Sequence, residues 1–395
     1  MGAWSAGSGR HKRAAYVFVG YTLFVVLVGS QLATPLYRIF QAEFGFSALT
    51  LTLVYSVYLV AVIVGLLVFG PLADAVGAWP ALAAAIGLSA AGSLLFAVAD
   101  TTALLYVARV LQGLAVGAAI GPATAALTDL QPRGDRNRAA LVVTLATTGG
   151  VAIGPLLAGA LVQYAERAAL PFVVYLALLV PSCAAPVLLR VAVPPRRGSW
   201  RPSRLNRPAQ AWVFVAATAA ATVAWAVAGL FLSVVPSYLA LLAGTDNLVL
   251  LSGVVFLMLA LSCTAQLAGG GVDPRRAQLA GLVALVGGLV AVALAFPARS
   301  LTVFIVGAVL AGLGHGGIWI GATSTVNRIA PDAQRAEVAS AYFAVTYLVP
   351  AVWAIGVGAL ADAVSLELAV YVFSGTAAVA ALATIQLTRR PLLRR

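Results

Sequence analysis

Charge is scarce in this 395-residue chain: only 9% of its residues are Asp, Glu, Lys or Arg, while 62% are hydrophobic. Soluble domains carry about 25% charged residues, so a water-soluble fold is excluded and the surrounding solvent is lipid. Lysine is nearly missing, with Lys12 alone among 24 basic residues. With the abundant alanine, that bias points to a GC-rich bacterial genome. Cysteine is limited to Cys183 and Cys263, both in apolar runs without a neighbouring histidine or acid. That excludes a disulfide framework and a metal site, and predicts two buried free thiols. No GxxxxGK[ST] sequence is present, which excludes ATP coupling within the chain. No HExxH run or nucleophile–base pair is visible among the apolar segments, which argues against an enzyme, and no cofactor is expected.

What fills the chain is long apolar runs. They are continuous rather than alternating, so they predict helices, because backbone groups in lipid must bond within their own segment. About 20 residues are needed to cross the ~30 Å hydrocarbon layer. Twelve spans meet that need, near 14–36, 48–70, 80–99, 102–128, 138–163, 170–190, 209–235, 248–269, 277–296, 300–326, 337–361 and 367–388. The first resembles a signal peptide, with Arg10, Lys12 and Arg13 before it, but it has span length and Tyr37-Arg38 follow it instead of a small-residue cleavage site. The seventh span ends near 235, or runs further where Pro236 kinks it instead of ending it.

Net charge is +12, yet the basic residues sit between spans and not along one face. This is topogenic charge and not a nucleic-acid surface. Of the 24 basic residues, 20 fall in the two tails and alternate loops, and only Arg38, Arg167 and Arg299 fall in the opposite loops. By the positive-inside rule the crowded side, with both termini, is cytoplasmic. The expected plan is therefore a tail over 1–13, a six-helix bundle over 14–190 and a basic linker over 191–208. A second six-helix bundle over 209–388 and a tail over 389–395 complete it. The linker, rich in proline, serine and arginine, reads as an extended connector, and residues 190–208 as a surface for anionic lipid.

The halves are related. A shift of 199 places Gly113 on Gly312, Gly117 on Gly316, Thr124 on Thr323, Pro132 on Pro331, Arg136 on Arg335 and Gly159 on Gly358. Register holds without a gap for about fifty residues, so one unit is duplicated. Duplicated bundles in a membrane chain point to a transporter with a shared central site.

Local motifs sharpen this. Arg109-x-x-Gln112-Gly113-x-x-x-Gly117, Gly150-x-x-x-Gly154-Pro155-x-x-x-Gly159 and Gly70-x-Leu72-Ala73-Asp74-x-x-Gly77 stand at the fourth span, the fifth span and the loop after the second. With the six-plus-six plan, they resemble the major facilitator superfamily and its twelve-helix drug:proton antiporter branch. The resemblance implies an all-α membrane fold of twelve transmembrane helices in two pseudo-symmetric bundles, in a bacterial plasma (inner) membrane, working as a monomer. It further implies that Arg109 takes part in proton coupling, that Gly150, Gly154, Pro155 and Gly159 seal the cavity, and that Asp74 and Gly77 latch a conformation. Ala78, Trp79 and Pro80 stand where the family carries basic residues after that second glycine, so the full charge relay is absent.

The residues carry their own logic. Arg109 is the only Arg or Lys inside a span and lies ~10 Å below the external surface. A charge there costs at least ~2.5 kcal/mol, so it should face the bundle interior or water. Gln112, Gly113, Val116, Gly117 and Ile120 share its face by helical spacing. His315 is the remaining ionisable residue in a span, the repeat equivalent of Val116, and is expected to carry protons or to serve as a neutral polar contact. No Asp or Glu lies deep in any span, which argues against a lipophilic cation as cargo. Tyr55, Tyr58, Trp225, Trp319, Thr323 and Tyr342, with Gln112 and Gly113, are the expected cavity residues. The expected activity is proton-coupled export of a small neutral or weakly anionic organic molecule, with protons and substrate as partners. The rivals are uptake of a sugar or carboxylate and, from another class, a non-transporting sensor or intramembrane enzyme.

Overall fold

A computed structural model describes residues 2–192, 210–331 and 334–389; the linker expected over 191–208 and the tail over 389–395 lie almost wholly outside these. Among the described residues the regular structure is entirely helical, and twelve segments are long and apolar enough to cross a membrane. We label them α1 (Gly2–Gln31), α2 (Ala48–Val76), α3 (Ala78–Ala97), α4 (Thr102–Leu130), α5 (Arg136–Ala165) and α6 (Leu170–Ala192). The second set is α7 (Ala211–Ser233), α8 (Leu248–Ala268), α9 (Pro274–Ala295), α10 (Leu301–Ile329), α11 (Arg335–Ala363) and α12 (Leu366–Arg389).

Two compact units emerge: residues 1–33 with 57–203, and residues 34–56 with 204–395. The boundary thus falls twice inside apolar sequence, once after α1 and once within α2. α1 stops at Gln31, where a short 3-10 turn (Thr34–Leu36) and a second helix, Tyr37–Phe44, take over. Pro35 cannot donate to an α ladder, so the helix cannot continue through it. The same happens in the second half: α7 ends at Ser233, and Val235–Ala243 follows with Pro236 in its first turn. Both short helices finish on a left-handed glycine, Gly45 and Gly244, 199 residues apart.

The core of each unit is built from small residues. α7 buries Ala216, Ala217, Ala220, Ala221, Ala224 and Ala228, which lets neighbouring backbones come close where no water drives helices together. Apolar side chains point outward as readily as inward: Val17, Val180, Val187 and Val379 are exposed, as lipid-facing residues should be. Cys183 is exposed as well, contrary to the expectation of a buried thiol; it ends a 3-10 turn (Val180–Cys183) whose Val180 and Pro181 are also exposed. In lipid, an apolar run does not imply burial in protein.

The repeat is visible as packing. A Cβ on Gly113 would collide with Tyr58 O, Ala61 and Val62, and one on Gly117 with Val62, Gly65 and Leu66. In the second unit a Cβ on Gly312 would collide with Met258 and Leu261, and one on Gly316 with Ser262 and Ala265. α4 therefore lies on α2 as α10 lies on α8, glycine against backbone.

Candidate functional site

Arg109 is fully buried on α4, at 0% exposure. Its Nη1 donates to the Ser30 carbonyl at 2.6 Å and to Gln112 Oε1 at 2.9 Å. Gln112 Nε2 in turn donates to the Gly29 carbonyl at 3.1 Å. These acceptors have a simple origin. Gly29 and Ser30 belong to the last four residues of α1, whose carbonyls lack partners inside the helix and carry its negative dipole end. The broken first helix thus supplies the acceptors for a guanidinium in a span region without acids. Tyr58 and Phe96 place their rings 5.5 and 5.4 Å from the Arg109 Cζ, within cation–π range.

The fifth-helix glycines reach the same end of α1. A Cβ on Gly150 would meet Phe24 O at 2.7 Å and Leu27 Cβ at 2.9 Å, and one on Gly154 would meet Val28 O and Gln31 Cβ. Just before them the helix widens into a π turn (Leu145–Gly149), a feature frequent at functional sites. Pro155 follows within the helix, and Gly159 is buried. Gly113 packs against α2, as described above.

The signature loop is shorter than the motif suggests. Gly77 alone joins α2 to α3, with φ +96°, a conformation glycine adopts without strain. Asp74, expected in the turn, instead occupies the last turn of α2 and is exposed. With only one residue between the helices, there is no loop to hold it.

In the second unit His315 is 2% exposed, and its Nδ1 lies 2.7 Å from Ser262 Oγ on α8. Gln266 Nε2 donates to that same oxygen at 3.2 Å. Ser262 Oγ thus joins Gln266 of its own helix and His315 of α10 in one buried polar contact. Aromatic rings crowd around it. Trp225 of α7 stands edge-on to His315 at 5.5 Å, to Trp319 at 5.5 Å and to Tyr347 at 5.2 Å. Tyr342 lies 6.0 Å from Trp319, and its hydroxyl meets Thr323 Oγ1 at 3.3 Å. The Nε2 of His315 and the Nε1 of Trp225 are buried and make no hydrogen bond among the described residues. Tyr55, in this unit, lies against Gly229.

Of the residues expected around one cavity or in proton coupling, the structure gathers His315, Trp225, Trp319, Thr323 and Tyr342 in one cluster and Arg109, Gln112 and Tyr58 in another. Sequence reasoning misses Ser262, Gln266, Phe96 and Phe343, whose ring centroid lies 6.1 Å from that of Trp319. Ser262 left no signal in the repeat: it faces Gly316 as Val62 faces Gly117 in the structure, whereas the 199-residue register sets Ile63 against it. Among the described residues no group of three or more His, Cys, Asp or Glu gathers as a metal site would require.

Comparison with known proteins gives the chain its family. The family described as Major Facilitator Superfamily matches residues 19–298. A Klebsiella pneumoniae (strain 342) protein, MdtD, assigned by name to multidrug resistance, is 37% identical over 122 residues, 31% of this chain and 26% of that protein. The MFS-type transporter paaT of Penicillium rubens is 29% identical over 181 residues, 44% of this chain and 33% of the relative. The chain therefore spans a quarter to a third of the length of these relatives. A crystal structure of a POT family transporter in complex with 5-aminolevulinic acid superposes with a TM-score of 0.74 at 12% identity, over 95% of both chains. The human organic anion transporter MFSD10 (TETRAN) does so at 0.66 and 15% identity, over 96% of this chain and 99% of that one. At such identities the likeness is one of fold.

Proposed function

The chain belongs to the Major Facilitator Superfamily and is a multi-pass membrane transporter, and on that premise we propose that it exports a small neutral or weakly anionic organic molecule against an inward flow of protons. The observation that carries this reading is Arg109: a guanidinium with no exposure, bonded to the carbonyl end of a broken helix. Its charge cannot leave, because arginine stays protonated. What can change is its set of partners. When a substrate oxygen competes for the guanidinium as an acceptor, the α1 carbonyls are released, and the helix end gains freedom to move. In this reading Gly150, Gly154, Pro155 and Gly159 hold α5 flush against α1 and keep the path closed between strokes. Asp74 and Gly77 set the short α2–α3 connection. His315 acts as the proton carrier of the second unit, and Trp225, Trp319, Thr323, Tyr342, Tyr55, Tyr58 and Gln112 offer rings and polar edges to the cargo.

The partial similarity to a protein named for multidrug resistance supports export of foreign or secondary organic molecules. The basic tails and loops support termini on the cytoplasmic face of a bacterial inner membrane. We further propose that the transporter works as a monomer.

The test is transport by the purified chain in proteoliposomes with an imposed pH gradient. Substrate movement opposite to the proton flow is expected, and Arg109→Gln should abolish the response to the gradient while facilitated exchange persists. Transport indifferent to pH would replace export with uniport. Transport in the direction of the proton flow would replace it with uptake.

A further inference from the structure

Four helices of the second unit leave a crevice open at one end of the bundle. Its walls come from the start of α7 and α9 and the end of α10 and α12, and it encloses about 910 Å³. That is the size of a small-molecule site, roughly 300–1,000 Å³. Val213, Ala216, Leu279 and Leu387 give it an apolar interior, while Arg275, Arg276 and Arg328 bring three positive charges to it against one carboxylate, Asp273. That carboxylate is engaged: its Oδ1 accepts from the Arg276 amide at 3.1 Å and caps α9. Arg275 is engaged too, donating from Nε and Nη2 to the carbonyls of Thr388 and Arg389 at 2.9 and 2.7 Å. Arg276 and Arg328 are both exposed, and neither enters a salt bridge among the described residues. Trp212, 42% exposed, lines the same crevice, a residue type that gathers at membrane–water interfaces.

These charges are not required by the fold. A shift of 199 sets Val76 and Gly77 of the first half against Arg275 and Arg276 of the second, and Asp129 against Arg328. The glycines that hold the helices together recur in both halves, whereas these arginines do not. A feature added to one copy, next to apolar wall and an interfacial tryptophan, calls for a ligand with a phosphate at one end and hydrocarbon at the other.

We propose that this crevice is a binding site for an anionic phospholipid, with the phosphate on Arg276 and Arg328 and the first acyl carbons along Val213, Ala216, Leu279 and Leu387. It is separate from the Arg109 and His315 clusters, and it stands whether or not the export reading does. A soluble anion would not need the apolar wall, and a zwitterionic lipid would not need the surplus of charge.

The full chain, purified in a neutral detergent, is titrated with phosphatidylglycerol, with phosphatidylcholine and with inorganic phosphate while its thermal unfolding midpoint is followed. Phosphatidylglycerol is expected to raise the midpoint, and the other two are not. In the double variant Arg276→Gln/Arg328→Gln the concentration needed should rise roughly 10- to 30-fold, about a factor of five per lost charge. Arg276→Lys/Arg328→Lys should stay within a few-fold of the wild type. Arg133→Gln/Arg138→Gln, in the basic turn before α5 and the first turn of that helix, should leave the titration unchanged. A photoactivatable phosphatidylglycerol on the unaltered protein should label peptides containing Val213 and Leu279, which keeps the test open if the double variant does not fold. Equal effects of phosphatidylcholine, an equal effect of phosphate, a wild-type response in the double variant, or labelling confined to other helices would each overturn the proposal.

Discussion

Replacing Gly117 by alanine should destabilise the protein, while the same change at Gly121, one helical turn on, should not. A Cβ on Gly117 would lie 2.6 Å from Gly65 Cα, Leu66 N and Val62 O. All three are backbone atoms, so no side chain can rotate aside. Ordinary contact begins near 3.4 Å, so α2 and α4 must part by 3.4 − 2.6, about 0.8 Å. Overpacking of this kind costs typically 1–3 kcal/mol. The gain in helix propensity from glycine to alanine offsets up to about 1 kcal/mol of that. The net expectation is a loss of about 1–2 kcal/mol. Gly121 has no atom within 4 Å of where its Cβ would be and is exposed, so no neighbouring helix is displaced there, and the propensity gain is set only against the local strain of a Cβ before Pro122. Gly316→Ala, whose Cβ would press on Ser262 and Ala265, should behave as Gly117→Ala does. Unfolding in mixed micelles of mild and denaturing detergent measures all three. If Gly117→Ala and Gly121→Ala unfold at the same midpoint, glycine-to-backbone contact does not set the α2–α4 distance, and the packing account of the repeat fails.

Ser262→Val removes the partner of His315 Nδ1 and should cost about 1–2 kcal/mol. Adding His315→Leu, which removes the unpaired imidazole and leaves an apolar pair, should recover part of that loss in the same unfolding assay; a double variant weaker than Ser262→Val would contradict this. Gly77→Ala forces a side chain into φ +96° and should lower stability by about 1–2 kcal/mol, read as a fall in the thermal midpoint. Asp362 accepts from the amides of Ala48 and Leu49 at 2.8 and 3.0 Å, so Asp362→Ala should cost about 1 kcal/mol, seen as a lower unfolding midpoint that Asp362→Asn partly restores.

How much of this the sequence contains depends on what kind of signal each feature leaves. The spans were legible because apolar length is set by bilayer thickness, and the expected edges of the second and fourth spans meet the observed starts, Ala48 and Thr102. The six-plus-six plan and the glycine contacts were legible through the 199-residue shift, since glycine is retained where two backbones touch. The partners of those glycines were not. Nothing in the sequence couples Arg109 to Ser30, because the acceptor is a main-chain carbonyl that every residue owns. Ser262 was hidden for a related reason: serine inside a span commonly bonds to its own helix, and only the crossing of α8 and α10 turns it towards His315. Asp362 stands just past an apolar run, and nothing in the sequence marks it as the cap of a helix more than three hundred residues away. Cys183 shows the limit of hydropathy in lipid, where an apolar neighbourhood does not distinguish inside from outside.

Eight residues at the end of α1, from Phe24 to Gln31, receive both the charged group of α4 and the bare face of α5. Two motifs separated by some forty positions in the chain therefore press on a single short lever. A change of partner at the guanidinium and a change of fit at the glycines are felt by the same turn, so damage to one should alter the sensitivity of the other, and neither motif is fully understood when mutated alone.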